Sequence, residues 1–243
     1  MEEQKVHHEG HETHHSEHQS HGRNAGLKLG PEMSLPKFDT KNMDFQGGFK
    51  SVLEIFKLNT TAIEQVAKNE KLNMVALIFL VIGVIVGPLA NLILGIKVFN
   101  MVFHPSLQDT LITMIAQFVM AALAIFVTTL VATKVFNGKG TFAELFRIVG
   151  LASIINVLNI LTPILPSLGM LISLVIGVYM LVVEFVSLKT VFKMDPTNTV
   201  LTMIVTIIVF VILGAIFAAV GLGAAMNPAA SYSSSVSNFR ISY

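Results

Sequence analysis

Cysteine is absent from all 243 residues, which excludes disulfides, thiolate metal sites and a cysteine nucleophile. Charge is scarce as well. Asp, Glu, Lys and Arg make up 13% of the chain, against about a quarter in a soluble domain. With 53% hydrophobic residues and a mean hydropathy of +0.71, lipid must replace water around much of the surface. A net charge of +1 argues against bulk nucleic-acid binding, so no nucleic-acid partner is expected. The first residues lack the basic-then-apolar pattern of a cleaved leader, and no processing is expected there. No phosphate-cradling glycine loop, serine nucleophile elbow or His-Glu-x-x-His helix occurs, and the chain is not expected to be an enzyme.

What is present is apolar runs. Residues 72–95, 110–133, 168–188 and 199–223 each have the roughly 20 residues that cover the hydrocarbon core. A fifth run, 142–161, is uncharged only between Arg147 and Thr162-Pro163. It reads as a short span or as half of a re-entrant hairpin, and the charge count chooses the span. With five spans, one side of the membrane holds nine basic residues in 1–71, then Lys134, Lys139, Arg147, Lys189 and Lys193. The other side holds Lys97 and Arg240. This bias places the N-terminus in the cytosol and the C-terminus outside or in a lumen. The expected fold is all-α, a polytopic bundle of five transmembrane helices. The expected division is a disordered tail (1–45), amphipathic juxtamembrane helices (46–71), the membrane domain (72–223) and a Ser-rich tail (224–243). In 47–57, Phe49, Val52, Leu53 and Phe56 repeat at helical spacing, which predicts an interfacial helix on the cytosolic leaflet. Thr61-x-x-Glu64 has the form of a capping box that starts a helix running into the first span.

Candidate functional residues are few. Thr141-x-x-Glu144 in GKGTFAELFR, residues 138–147, is a second capping box, so Glu144 serves the helix start and not catalysis. Arg147 lies about 9 Å further along that helix; it either snorkels to the headgroups or meets Glu184. Glu184 sits inside the fourth run, about 7.5 Å short of Lys189. Antiparallel neighbours would bring the two to similar depth, and an Arg147–Glu184 ion pair is the expectation, with a proton or ion path through Glu184 as its rival. Gly83-x-x-x-Gly87 and Gly169, Ser173 and Gly177 repeat every four residues, as faces for close helix approach do. They are compatible with self-association or with other membrane-protein partners. Gln117, Asn156 and Asn159 read as interhelical glue or a polar lining.

Seven of the eight histidines, His7, His8, His11, His14, His15, His18 and His21, crowd the first 21 residues. Their irregular spacing with interleaved Glu argues against a purification tag. A helix there would align His7, His11, His14 or His15, and His18, a nitrogen-rich set suited to Zn or Ni. No cofactor is otherwise required. Too few apolar residues are present to order this tail without metal, so a chelating tail and a pH-responsive polar one both stand.

The 138–147 stretch leading to Gly150 and Ala152-Ser153, with Leu174-Val175-x-Gly177-x-Tyr179 through Leu188-Lys189, resembles the Yip1-domain family over roughly residues 50–223. The resemblance implies five spans, a cytosolic N-terminus and a non-enzymatic scaffold or adaptor; eukaryotic relatives bind Rab GTPases and one another. The N-terminal tail holds no tyrosine and so lacks the family's Asp-Leu-Tyr-Gly-Pro-like motif, which argues against a Rab role. The leaning is toward a prokaryotic plasma-membrane protein. The alternative is a divalent-cation permease or channel with the histidine tail as its collecting arm.

Overall fold

The structure is a computed structural model that describes residues 33, 35–41, 43–98 and 101–219. Two short helices, α1 (Phe45–Phe56) and α2 (Thr60–Lys68), precede α3 (Asn73–Leu94). A hairpin, β1 (Ile96–Val98) paired antiparallel with β2 (Met101–Phe103), leads to α4 (Leu107–Leu130). Then come α5 (Phe142–Ala152), a 3-10 stretch (Ser153–Ile160), α6 (Leu161–Ile164), α7 (Pro166–Val191) and α8 (Pro196–Ala219). Five helical segments are long and apolar enough to cross a membrane: Glu70–Leu94, Leu107–Val135, Phe142–Ile164, Leu171–Val191 and Pro196–Ile216. The protein is a five-span, multi-pass membrane bundle. The near end denotes the end that holds α2, the 136–141 loop and residues 192–195. The far end holds the hairpin.

The third span has an unusual build. Pro163 offers no N–H to the carbonyl four residues back and its ring crowds that carbonyl. Ser153 also donates its hydroxyl to the Val149 carbonyl at 2.7 Å, where the α-helix ends. Between them the chain winds as a 3-10 helix, which rises about 2.0 Å per residue where an α-helix rises 1.5 Å. Residues 142–164 then reach about 38 Å, enough for the roughly 30 Å core. The short uncharged run therefore still serves a full-length span.

Residues around the start of α1 and α2 depart from the sequence reading. Residues 35–41, expected within a disordered tail, lie on the bundle. Asn73 donates to the Lys37 carbonyl at 2.8 Å, and the Phe38 ring packs edge-on against Phe146 at 5.9 Å. In α1, Val52 and Ile55 are buried while Phe45, Phe49 and Leu53 are exposed, so the helix has one apolar face on the bundle and another turned outward. Tyr179 donates to the Phe56 carbonyl at 2.8 Å. Tyr179 is about 18 Å from the end of α7 along its axis, so α1 packs against the side of the bundle and does not cap its end. The Thr61–Glu64 box does not form. Asn59 caps α2 by accepting from the Ala62 N–H, two residues before the expected cap, and leaves Glu64 free to pair with lysines. Nor does α2 run on into the first span: it ends at Asn69, and a 3-10 turn, Glu70–Leu72, intervenes.

Close helix contact is concentrated on α3. A β-carbon added at Gly83 would lie 2.3 Å from the Ser153 carbonyl oxygen, and one at Gly150 would lie 2.7 Å from that of Ala76. One at Gly169 would lie 2.7 Å from the Thr162 methyl. At Gly87 and Gly177 an added β-carbon meets nothing within 4 Å, so these two are not packing residues. Spacing placed all four on smooth faces, but it cannot say which face is covered. Helix α8 leans mainly on α4, on α7 and on the turn Val131–Val135 that follows α4. Its outer side, with Ile204, Ile208 and Val211, is exposed apolar surface for lipid, while Thr199, Thr202 and Thr206 face inward.

Gly83→Ala and Gly150→Ala should each destabilise the bundle by about 1–3 kcal/mol, because the facing atom is backbone and cannot yield. Gly87→Ala and Gly177→Ala should be neutral or stabilise by about 0.5–1 kcal/mol through helix propensity. Thermal melts of the detergent-solubilised variants separate the two pairs.

Candidate functional site

At the near end, Arg147 is 5% exposed. One guanidinium nitrogen donates to the Asn73 carboxamide oxygen at 2.8 Å and another to the Ala67 carbonyl. Ala67 lies in the last turn of α2, where carbonyls have no intrahelical donor and carry the negative end of the helix dipole. That carbonyl and the Asn73 amide take the place of a counter-ion. The expected Arg147–Glu184 pair is therefore not formed. A helical side chain leans back toward its own N-terminus, which carries the guanidinium to the α2–α3 junction. Glu184 follows buried Val183 by about 100° around α7 and accepts from the Thr128 hydroxyl of α4 at 3.1 Å.

The capping box is present: Thr141 accepts from the Glu144 N–H, and Glu144 accepts from the Thr141 N–H at 2.7 Å. The loop before it is closed by Phe192. The Lys139 N–H donates to the Phe192 carbonyl at 2.9 Å, and a β-carbon on Gly140 would lie 2.6 Å from the Phe192 ring. A glycine is required there for contact, which accounts for the Gly-Lys-Gly pattern. Lys193, the next residue after Phe192, donates to Glu64 at 2.7 Å, and Lys68 donates to the same oxygen at 3.2 Å. Hydrogen bonds from Lys193 and then Lys68, with their charges, hold the Glu64 carboxyl below its ordinary value.

Glu184 borders a lateral pocket of about 370 Å³ with Thr128, Thr206 and Phe210. The Thr202 and Thr206 hydroxyls of this seam are buried without a hydrogen-bond partner. A larger cavity, about 580 Å³, opens in the far half of the bundle between α3, α4, the 3-10 stretch and α7. Asn156, Asn159 and Thr162 all line it. At three residues per turn Asn156 and Asn159 stand in one row. An α-helix would turn them about 60° apart. Gln117 and Asn91 face them from α4 and α3, Ser173 from α7, and Asp109 lies nearer the far end. Gly87 and Gly177 leave the space open. Gln117, Asn156 and Asn159, read from the sequence as interhelical glue or a polar lining, line the cavity; the sequence did not choose between the two because their alignment depends on the 3-10 winding, for which it carries no periodic signal.

The histidines at 7, 8, 11, 14, 15, 18 and 21 lie outside the described residues. Among the described residues, no group of three or more His, Cys, Asp or Glu could hold a metal ion. The sequence profile of the Yip1 domain matches residues 54–227, from the end of α1 to beyond α8. No curated protein and no solved structure matches the chain.

Arg147→Met should lower stability by about 2–5 kcal/mol, since it strips Asn73 and the Ala67 carbonyl of their donor at a buried site. Arg147→Lys should not restore it, because one ammonium cannot reproduce the fork. Chemical unfolding in micelles reads both. Glu64 titrates below an unfolded carboxyl of about 4.3, so its tie to α7 contributes above that pH and is lost as the pH falls through the lower folded value. Glu64→Gln should remove this acid-dependent component of a pH–melting profile and leave the neutral-to-alkaline limb unchanged in shape.

Proposed function

The chain belongs to the Yip1-domain family, and from that premise we propose that it is a non-enzymatic membrane scaffold, which organises protein partners or lipid at its near end. The observation that carries this reading is the locking of α1 and α2 onto the spans. The Phe56 carbonyl is held by Tyr179, the Ala67 carbonyl by Arg147, and Glu64 by Lys193. Each tie fixes backbone or a short side chain, so the two helices form a collar of set shape, with Phe45, Phe49 and Leu53 exposed on it. A set surface is what a docking protein needs, since a partner then meets no ordering cost. In this reading the near end is cytosolic, as the basic bias of its segments supports.

The second reading, a divalent-cation permease fed by the histidine tract, is favoured by one feature, the Glu184 carboxyl in one pocket with Thr206, whose hydroxyl has no hydrogen-bond partner among the described residues. Its weakness is the ligand count. The other carboxylates of the five spanning segments, Glu70, Asp109 and Glu144, all lie in first turns.

A photoreactive amino acid at Leu53, in native membranes, should give one discrete protein adduct, and purified protein in liposomes should pass no Zn²⁺. Adducts to lipid alone at Leu53 and Phe49 would remove the docking role. Zn²⁺ uptake that falls with Glu184→Gln would replace the scaffold by the permease.

A further inference from the structure

We propose that the far-half cavity is a binding site for a small polar ligand that bears an ammonium group, a chemistry shared by a free amino alcohol and an ethanolamine lipid headgroup. The inference goes beyond the scaffold reading and does not depend on it. Size is the first argument. About 580 Å³ lies within the 300–1,000 Å³ range typical of small-molecule sites. It is far more than a bare ion needs, and a single carboxylate is too few for a divalent metal.

The lining supplies the second argument. The carboxamides of Asn91, Gln117 and Asn156 line the cavity and make no side-chain hydrogen bond to the described residues. The Thr162 hydroxyl is buried without a partner. A polar group left unsatisfied within a membrane bundle costs several kcal/mol. Of these four the Thr162 hydroxyl is buried, Asn91 and Asn156 are half-buried and Gln117 is exposed, and they converge on one space from three spans. They are complementary to a ligand rich in hydrogen bonds.

Charge selects which ligand. Among the described residues, Asp109 is the one ionisable side chain of the lining, which holds no Lys, Arg or His. One Asp109 oxygen accepts from the Ser106 hydroxyl at 2.6 Å, and the other has lone pairs to offer. Asp109 is exposed, and a carboxylate there repels anions and attracts an ammonium group, with water moderating both effects. Carboxamide oxygens accept the remaining N–H groups. Among the described residues no aromatic side chain lines the cavity, and none offers the stacking surface that a sugar ring prefers.

The open glycines make the proposal testable. Because a β-carbon at Gly177 or Gly87 touches nothing, a leucine there grows into the cavity and not into the bundle. The full chain is placed in phosphatidylcholine nanodiscs. One arm adds ethanolamine; the other includes phosphatidylethanolamine in the disc. Binding is read by native mass spectrometry and by the rise in melting temperature. The wild type should bind in at least one arm, and the arm identifies the source of the amine. Asp109→Asn should weaken binding by about tenfold or more. Gly177→Leu should abolish it while the unliganded melting temperature stays put; Gly87→Leu serves if that variant does not fold. Binding in neither arm overturns the proposal, as does binding that survives both leucines, or acetate binding as well as ethanolamine.

Discussion

Arg147 places a permanent positive charge at a site 5% exposed and hydrogen-bonds it to neutral acceptors. Four segments owe their positions to that arrangement. Helix α5 supplies the guanidinium, the end of α2 offers a carbonyl, and the first residue of α3 offers an amide. That same amide then holds the Lys37 carbonyl. The amide oxygen of Asn73 is committed to Arg147 and its nitrogen to Lys37, so the relay has one orientation. A partial charge at a helix end is a weaker partner than a carboxylate, but it has no side-chain entropy to lose. The bond fixes backbone, and fixed backbone is what sets the angle of α2 against α5.

How much of this was legible in the sequence depended on whether the signal was local. Thr141 and Glu144 are three residues apart and interact with each other, so their capping box could be read directly. Four spans followed from length and hydropathy and the fifth from the charge count, none of which requires knowing neighbours. Arg147 was correctly singled out as an expensive residue, but its partner was misassigned. Depth along a helix can be counted at 1.5 Å per residue, and by depth Glu184 was suitable. Azimuth depends on packing, and there Glu184 turns to Thr128. Asn73 gave no signal, because an asparagine at a helix start is commonplace. The glycines divide in the same way: Gly83 and Gly150 touch backbone carbonyls, whereas Gly87 and Gly177 border open space, and a four-residue spacing fits either case.

The two halves of the bundle use polar residues in opposite ways. In the near half the charged and amide groups are mostly engaged: Asn73, Tyr179, Glu64 and Lys193 have partners, as do two of the three Arg147 nitrogens. Large side chains such as Ile55, Ile63, Leu72, Leu145 and Phe192 fill the space between. In the far half the carboxamides point at a cavity instead. A bundle that was only a framework would gain by closing that space, since packed apolar contacts are worth more than unsatisfied amides. The contrast is therefore not a matter of folding economy, and it separates a part built to hold its shape from a part left open.

The third span joins the two. Its α-helical beginning carries Arg147 and Gly150, which seat it against α3; its 3-10 continuation carries Asn156 and Asn159, which line the cavity. The change of winding comes at Ser153, whose carbonyl presses on Gly83. From that point to Ile160 three residues make a turn, so Ser153, Asn156 and Asn159 share one side, and Thr162 in α6 lines the same cavity. The contact that pins the span to α3 thereby also sets the direction of the polar row beyond it. Were the helix to continue as α, Asn159 would rotate away from Asn156 by about 60°, and the row would be dispersed. A long 3-10 run is unfavourable on its own. Here it is held at one end by the Gly83 contact and at the other by Pro163, and the aligned carboxamides are its consequence.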